Sequence, residues 1–219
     1  MHRLLFEKVG NGIYLSHLDL MRVFQRAFLR AGVSLKHSSG FSPRAYVSVA
    51  LPLSVGVESV CELLDYELAN DAPVPGDLAQ RLNATMPEGI RVLEVYESDR
   101  KIRDLGLLRA QLTLEYDGGV PENAISSIEA LLNGESVIVP KHTKRGEVET
   151  DILPMISEWS VSQTDVNTIS MNVLVAAQEP SLNPLLLITA IERYLPECAP
   201  DFAICRRVEV YDRGGAVFR

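Results

Sequence analysis

Cysteine is scarce and poorly spaced for chemistry in this 219-residue chain. Its three thiols, Cys61, Cys198 and Cys205, include no Cys-x-x-Cys pair. That speaks against a disulfide framework and against zinc or iron–sulfur ligation. They read as reduced thiols of a cytoplasmic protein. No apolar run approaches the ~18 residues that a membrane span needs, so no membrane partner is expected. Met1–Gly10 carries charge inside its short apolar stretch and lacks a small-residue cleavage site, and it is not read as a signal peptide. Also missing are Gly-x-Gly-x-x-Gly, His-Glu-x-x-His, Gly-x-Ser-x-Gly and the Gly-Lys-Ser/Thr of a Walker loop. No cofactor and no metal site is therefore expected, and any enzyme activity would have to rest on scattered residues. Aromatic residues are few, at 6% of the chain. Few of them accompany the basic residues, which argues against a stacking platform for single strands.

What is present is the composition of a packed globular protein, 47% hydrophobic and 23% charged. The net charge of −8 is unevenly spread. Residues 1–50 hold seven Lys/Arg (Arg3, Lys8, Arg22, Arg26, Arg30, Lys36, Arg44) against Glu7 and Asp19, whereas the remainder holds 14 basic against 27 acidic residues. Such asymmetry points to a local anion-binding face on an acidic body.

The pattern along the chain predicts an α+β protein. Arg3–Val9 reads as a strand and Gly10-Asn11-Gly12 as a turn. Ser16 is positioned as an N-cap with Asp19 three residues on, and the helix runs from about His17 to Ala31 before Gly32. Leu20, Phe24, Ala27, Phe28 and Ala31 give it an apolar stripe, and Arg22, Arg26 and Arg30 give it a second stripe on another face. Strands near 46–50 and 60–68, a helix near 76–86 and a strand near 91–96 complete the order βαββαβ. After a charged boundary at 98–104 the order repeats, with strands near 107–116 and 136–139, helices near 121–132 and 182–194, and strands near 158–162, 168–177 and 202–211. A polar, basic insertion at 141–149 interrupts it. The expectation is two ferredoxin-like (βαββαβ) lobes in tandem, residues 1–100 and 104–219.

Three local strings could carry function. Ser16-His17-Leu18-Asp19 puts a histidine and a carboxylate at a helix start, where an anion or a proton could be handled. Capping accounts for Ser16 and Asp19 without function, and an i, i+2 pair makes a poor metal site. Ser38-Ser39-Gly40-Phe41-Ser42-Pro43-Arg44 offers the hydroxyl, amide and guanidinium donors of a phosphate or carboxylate site, or is an ordinary turn. Lys141-His142-Thr143-Lys144-Arg145-Gly146 is a basic loop able to meet a nucleic-acid backbone, or a solvated hairpin tip.

Together these strings resemble the radical-SAM-linked proteins, a bacterial family of unknown function whose domain stands alone or follows a cobalamin-binding-type radical SAM protein. The resemblance rests on Ser16-His17-Leu18-Asp19-Leu20, on the arginine-spaced helix ending Arg30-Ala31-Gly32, and on Gly40-Phe41-Ser42-Pro43-Arg44. It continues through residues 50–59 and Pro87-Glu88-Gly89-Ile90, and more loosely through the second lobe to Asp151-Ile152. It implies a free-standing accessory protein with a radical SAM enzyme as partner, and a link to RNA. The expected function is an accessory or binding protein presenting an anion- or RNA-binding face, without catalysis of its own. The alternatives are an independent RNA-binding protein and a metal-free RNA endonuclease using His17. The candidate binding residues are His17, Asp19, Arg22, Arg26, Ser42, Arg44, Lys141 and Lys144.

Overall fold

The computed structural model describes residues 1–69, 73–143 and 146–219. These residues form a mixed α+β fold with antiparallel strand pairing inside each of two units and four α-helices. The first unit is Met1–Asp104 with Arg219, and the second is Leu105–Phe218.

In the first unit the order is β1 (His2–Lys8), α1 (His17–Arg30), β2 (Val47–Val49), β3 (Glu58–Tyr66), α2 (Leu78–Asn83) and β4 (Ile90–Glu97). β1 pairs antiparallel with β3 and with β4, and β2 pairs antiparallel with β3, giving the sheet order β4-β1-β3-β2. The two helices close the core over the sheet. Leu20, Phe24, Ala27 and Phe28 of α1 are buried, as the stripe predicts, with Leu4, Phe6, Leu64 and Tyr66 of the strands beneath them. Phe6 meets Phe24 edge-on at 4.8 Å between centroids and Phe28 meets Tyr66 at 4.9 Å, separations at which aromatic pairs add to simple burial. The free edge of β4 is covered locally. Asn83 donates to the Val92 carbonyl and accepts from the Val92 amide, both at 2.8 Å, which satisfies two ladder groups that have no further strand.

Both ends of α1 have a physical cause. The Ser16 hydroxyl accepts from the Asp19 amide at 3.2 Å. At the other end Gly32, at φ +71, donates to Leu29 and Val33 donates to Phe28. That is the Schellman pattern, and it needs the left-handed conformation glycine supplies. Ser16→Ala should cost about 1 kcal/mol, read as a shift in the urea midpoint at unchanged slope. An unchanged midpoint would show that the cap contributes nothing.

The second unit runs β5 (Leu105–Glu115), α3 (Ala124–Leu132), β6 (Ile138–Thr143), β7 (Gly146–Asp151), β8 (Ile156–Asp165), β9 (Thr168–Ala176), α4 (Leu185–Tyr194) and β10 (Phe202–Asp212). Its sheet order is β10-β5-β9-β8, again antiparallel throughout. Leaving out β6 and β7, which among the described residues pair with each other alone, the fourth strand lies beside the first, then the third, then the second, as in the first unit. The insertion expected at 141–149, whose 141–146 string reads as a basic loop or a hairpin tip, contributes Lys141–Thr143 and Gly146–Glu149 to this hairpin. Thr143, Val148 and Thr150 favour extended backbone, and His142 faces Glu147 across the pair. The hairpin is tied to α4. Arg193 reaches Glu149 with Nη1 at 2.9 and 3.1 Å, and the Tyr194 hydroxyl donates to the Ile138 carbonyl at 3.0 Å.

Cys61, Cys198 and Cys205 are buried free thiols, and burial pushes Cys205 up to about 11, which leaves it a poor nucleophile. No helix among the described residues is long and apolar enough to cross a membrane.

Candidate functional site

A cleft of about 860 Å³ opens in the first unit along one flank of α1. His17, Met21, Gln25 and Phe28 line it at helical spacing, with Leu18, Arg26 and Leu29 beside them. The opposite wall comes from the chain that follows the helix, Val33–Leu35 with His37, and from its return, Pro43–Ala45 with Val47. The Schellman turn at Gly32 reverses the chain, so the segment after α1 comes back alongside the helix.

Residues 38–44 form a closed loop at the mouth of this wall. The Ser38 amide donates to the Arg44 carbonyl at 2.8 Å, and the Arg44 amide donates to the Ser38 hydroxyl at 3.0 Å. Tyr46 donates to the Lys36 carbonyl at 2.8 Å, and His37 bridges Ala45. Phe41 stands at the loop tip, fully exposed. An aromatic ring held in water by a Gly/Ser/Pro loop buries nothing within the chain.

Two histidines line the cleft. His37 Nδ1 lies 2.9 Å from the Leu35 carbonyl. A carbonyl only accepts, so Nδ1 carries a proton in this contact, and the tautomer it selects leaves Nε2 as the acceptor. His17 Nδ1 is buried and has no hydrogen-bond partner among the described residues.

The charge of the site differs from the count along the sequence. Arg3 and Lys8 belong to the interior, at 0% and 1% exposure. Arg22 is bound to Asp19 at 3.0 Å. The Asp19 carboxyl is held below the usual carboxylate range, first by its bond with the Ser16 hydroxyl and then by Arg22. This pair is therefore ionised, self-neutralising and outside the cleft. Lys36 reaches Glu67 at 2.6 Å and lies over the Tyr46 ring. Arg26, Arg30 and Arg44 are exposed, and no carboxylate among the described residues is within ion-pairing distance of them. Arg26 and Arg44 line the cleft.

Of the residues singled out in the sequence, His17, Arg26 and Arg44 meet in one cleft, and Ser42 sits in the adjoining loop without lining it. Asp19 and Arg22 serve the helix. Lys141 lies in the second unit, where its ammonium donates to the Ser181 carbonyl at 2.5 Å and helps fasten the hairpin. Lys144 falls outside the described residues. Asp151 accepts from the Val137 and Leu153 amides at 2.9 and 3.2 Å and shapes a turn. The sequence reading does not single out His37 or Leu29, and it names Phe41 and Leu18 as members of their strings without giving them a role. Leu29, about one turn beyond Arg26 on the exposed side of α1, carries a signal as an apolar residue on a polar face. Among the described residues no three His, Cys, Asp or Glu side chains gather as a metal ion would require.

The fold is similar to that of a chain in the crystal structure of a Cbf5-Nop10-Gar1 complex, with a TM-score of 0.53 at 12% identity. The alignment covers 95% of this chain but 48% of that one, so this chain spans about half its length. A chain of an archaeal box H/ACA sRNP Nop10-Cbf5 complex aligns with a TM-score of 0.48 at 11% identity, over 94% of this chain and 46% of that one. These likenesses concern the fold alone. No curated protein matches the sequence. Over residues 2–184 the sequence matches the DUF2344 family, described as uncharacterized proteins conserved in bacteria, and the chain belongs to that family.

Proposed function

We propose that this protein binds single-stranded RNA through the cleft of its first unit, with Arg26 and Arg44 on the phosphates. The carrying observation is the pair of arginines with no carboxylate in reach among the described residues, lining an apolar-walled cleft on a protein of net charge −8. An acidic protein that leaves guanidinium groups uncompensated beside a cleft favours an anionic ligand there. Arg30 extends the charge along α1, and the exposed Phe41 offers a ring on the adjoining 38–44 loop, which suits a strand with unstacked bases. On this reading each unit is a ferredoxin-like lobe, supported by the shared strand order of the two sheets, and the first lobe carries the binding face.

Fluorescence anisotropy with a labelled mixed-sequence RNA decamer tests it. For two to three phosphate contacts, log affinity should fall against log salt with a slope of about −1.4 to −2. Arg26→Gln/Arg44→Gln should weaken binding at least about tenfold at low salt and flatten that slope by about 1.4. Equal binding by the double variant would discard the cleft as the site.

A second reading rests on Leu18 and Leu29, which are 66% and 78% exposed on the cleft rim. Apolar side chains held in water at a rim suit a protein partner, and the sequence resemblance implies a radical SAM enzyme. Recovery of such an enzyme with the tagged protein, insensitive to ribonuclease and lost in Leu18→Ser/Leu29→Ser, would support this docking. Recovery unchanged by those substitutions would remove the rim from it.

A further inference from the structure

We infer that the cleft is a pocket for one unstacked nucleobase, entered beside phosphates held by Arg26 and Arg44, so that the protein selects single-stranded over paired RNA; this rests on the RNA-binding reading above. A site for phosphate alone needs donors and no apolar wall. Here the cationic rim continues into a cleft walled by Met21, Phe28, Val33 and Leu35. Its volume of about 860 Å³ lies in the range of pockets that enclose small organic ligands, so a base with its ribose fits.

The polar atoms inside suit the edge of a base. His37 lines the cleft, and the tautomer that places its Nδ1 proton on the Leu35 carbonyl leaves Nε2 as the acceptor. His17 lines the cleft as well, with its Nδ1 buried beneath the surface and without a partner among the described residues. Two imidazoles against an apolar floor supply in-plane hydrogen bonding together with a face for stacking. Phe41, three residues from Arg44 on the closed 38–44 loop, is placed to stack on a neighbouring base outside the cleft. A base paired in an A-form duplex has its faces stacked and its pairing edge occupied, and cannot enter. A long acyl chain would satisfy the apolar wall but leave the Arg26 and Arg44 guanidinium groups on the rim unmet.

The test compares three labelled ligands on the full chain at low salt: an RNA decamer, the same decamer with abasic ribose at every position, and its blunt duplex. We expect the abasic strand and the duplex each to bind at least about tenfold more weakly than the intact strand, with the salt slope of the abasic strand unchanged because its phosphates remain. His17→Phe, close in size and without the ring nitrogens, should weaken the intact strand and leave the abasic strand as it was. Equal affinity for intact and abasic strands would overturn base insertion while leaving backbone binding in place. Tighter binding of the duplex would also overturn it. Absence of binding to all three ligands would bring down both this inference and the RNA reading on which it rests.

Discussion

Asp65→Asn should destabilise the protein by about 3–5 kcal/mol, although it changes one atom and leaves the side-chain shape intact. Arg3 and Asp65 face each other directly across the β1–β3 ladder. Their side chains pair through two bonds, Nε to Oδ1 at 2.6 Å and Nη2 to Oδ2 at 3.1 Å. The same guanidinium donates to the Ser98 hydroxyl at 3.0 Å and to the Arg100 carbonyl at 2.8 Å. The two side chains are 0% and 9% exposed, so solvent does not screen the pair as it would at a surface. The neutral amide of the variant would withdraw the Asp65 carboxylate from a guanidinium in the interior, and desolvation of that group sets the cost. The neutral double variant Arg3→Met/Asp65→Leu removes both charges, and it should recover most of the loss because the desolvation penalty disappears with them. Urea denaturation of the parent protein and the two variants decides the matter. If the double variant is as unstable as Asp65→Asn, the loss comes from packing and hydrogen bonds rather than from the withdrawn carboxylate.

Arg3 also shows where reading the sequence reaches its limit. A tally of charges places Arg3 and Lys8 on a basic face with Arg22, Arg26, Arg30, Lys36 and Arg44. Burial and pairing are tertiary facts, and they reduce the exposed cations of that set with no carboxylate in reach among the described residues to Arg26, Arg30 and Arg44. Helix α1 is readable almost to the residue because its signals are local: a hydroxyl cap, an i, i+4 apolar stripe and a glycine stop. The element order of both units is readable for the same reason, apart from the hairpin. There, the string 141–146 is legible as a hairpin tip, but charged residues on both sides conceal how far the extended backbone runs, over Ile138–Thr143 and Gly146–Asp151. The cleft is only partly visible. His17 and Arg44 stand far apart in sequence, and they meet because Gly32 turns the chain back along α1. Phe41 counts as one of few aromatics, yet its exposure rather than its number gives it weight. Low aromatic content argues against base stacking in general; one ring at the right loop is enough to reopen it.

Gly89→Ala should be the most damaging of the small substitutions in the first unit. Gly89 sits at φ +86, and a Cβ there would lie 2.2 Å from the Val9 carbonyl oxygen and 2.5 Å from the Gly12 amide nitrogen. From the other side, a Cβ on Gly12 would lie 2.6 Å from the Gly89 carbonyl oxygen. The close approach serves the fold, since Val9 donates to the Gly89 carbonyl at 2.8 Å and Gly12 donates to Val9 at 3.0 Å. These bonds fasten the turn after β1 to the start of β4. Every atom in the way is backbone, so no rotamer change relieves the clash, and the strand ends must part. Left-handed strain and lost bonds together should cost about 2–4 kcal/mol, a drop in melting temperature of roughly 5–15 °C for a protein of this size. Gly56→Ala provides the control. Gly56 has nearly the same dihedral, φ +85, but nothing within 4 Å of an added Cβ, so only the conformational strain of about 1–2 kcal/mol remains. Equal losses in the two variants would mean that dihedral strain alone governs both sites. A larger loss at Gly89 would locate the excess in the backbone contact, and would give the string Pro87-Glu88-Gly89-Ile90 a structural cause unconnected with the cleft.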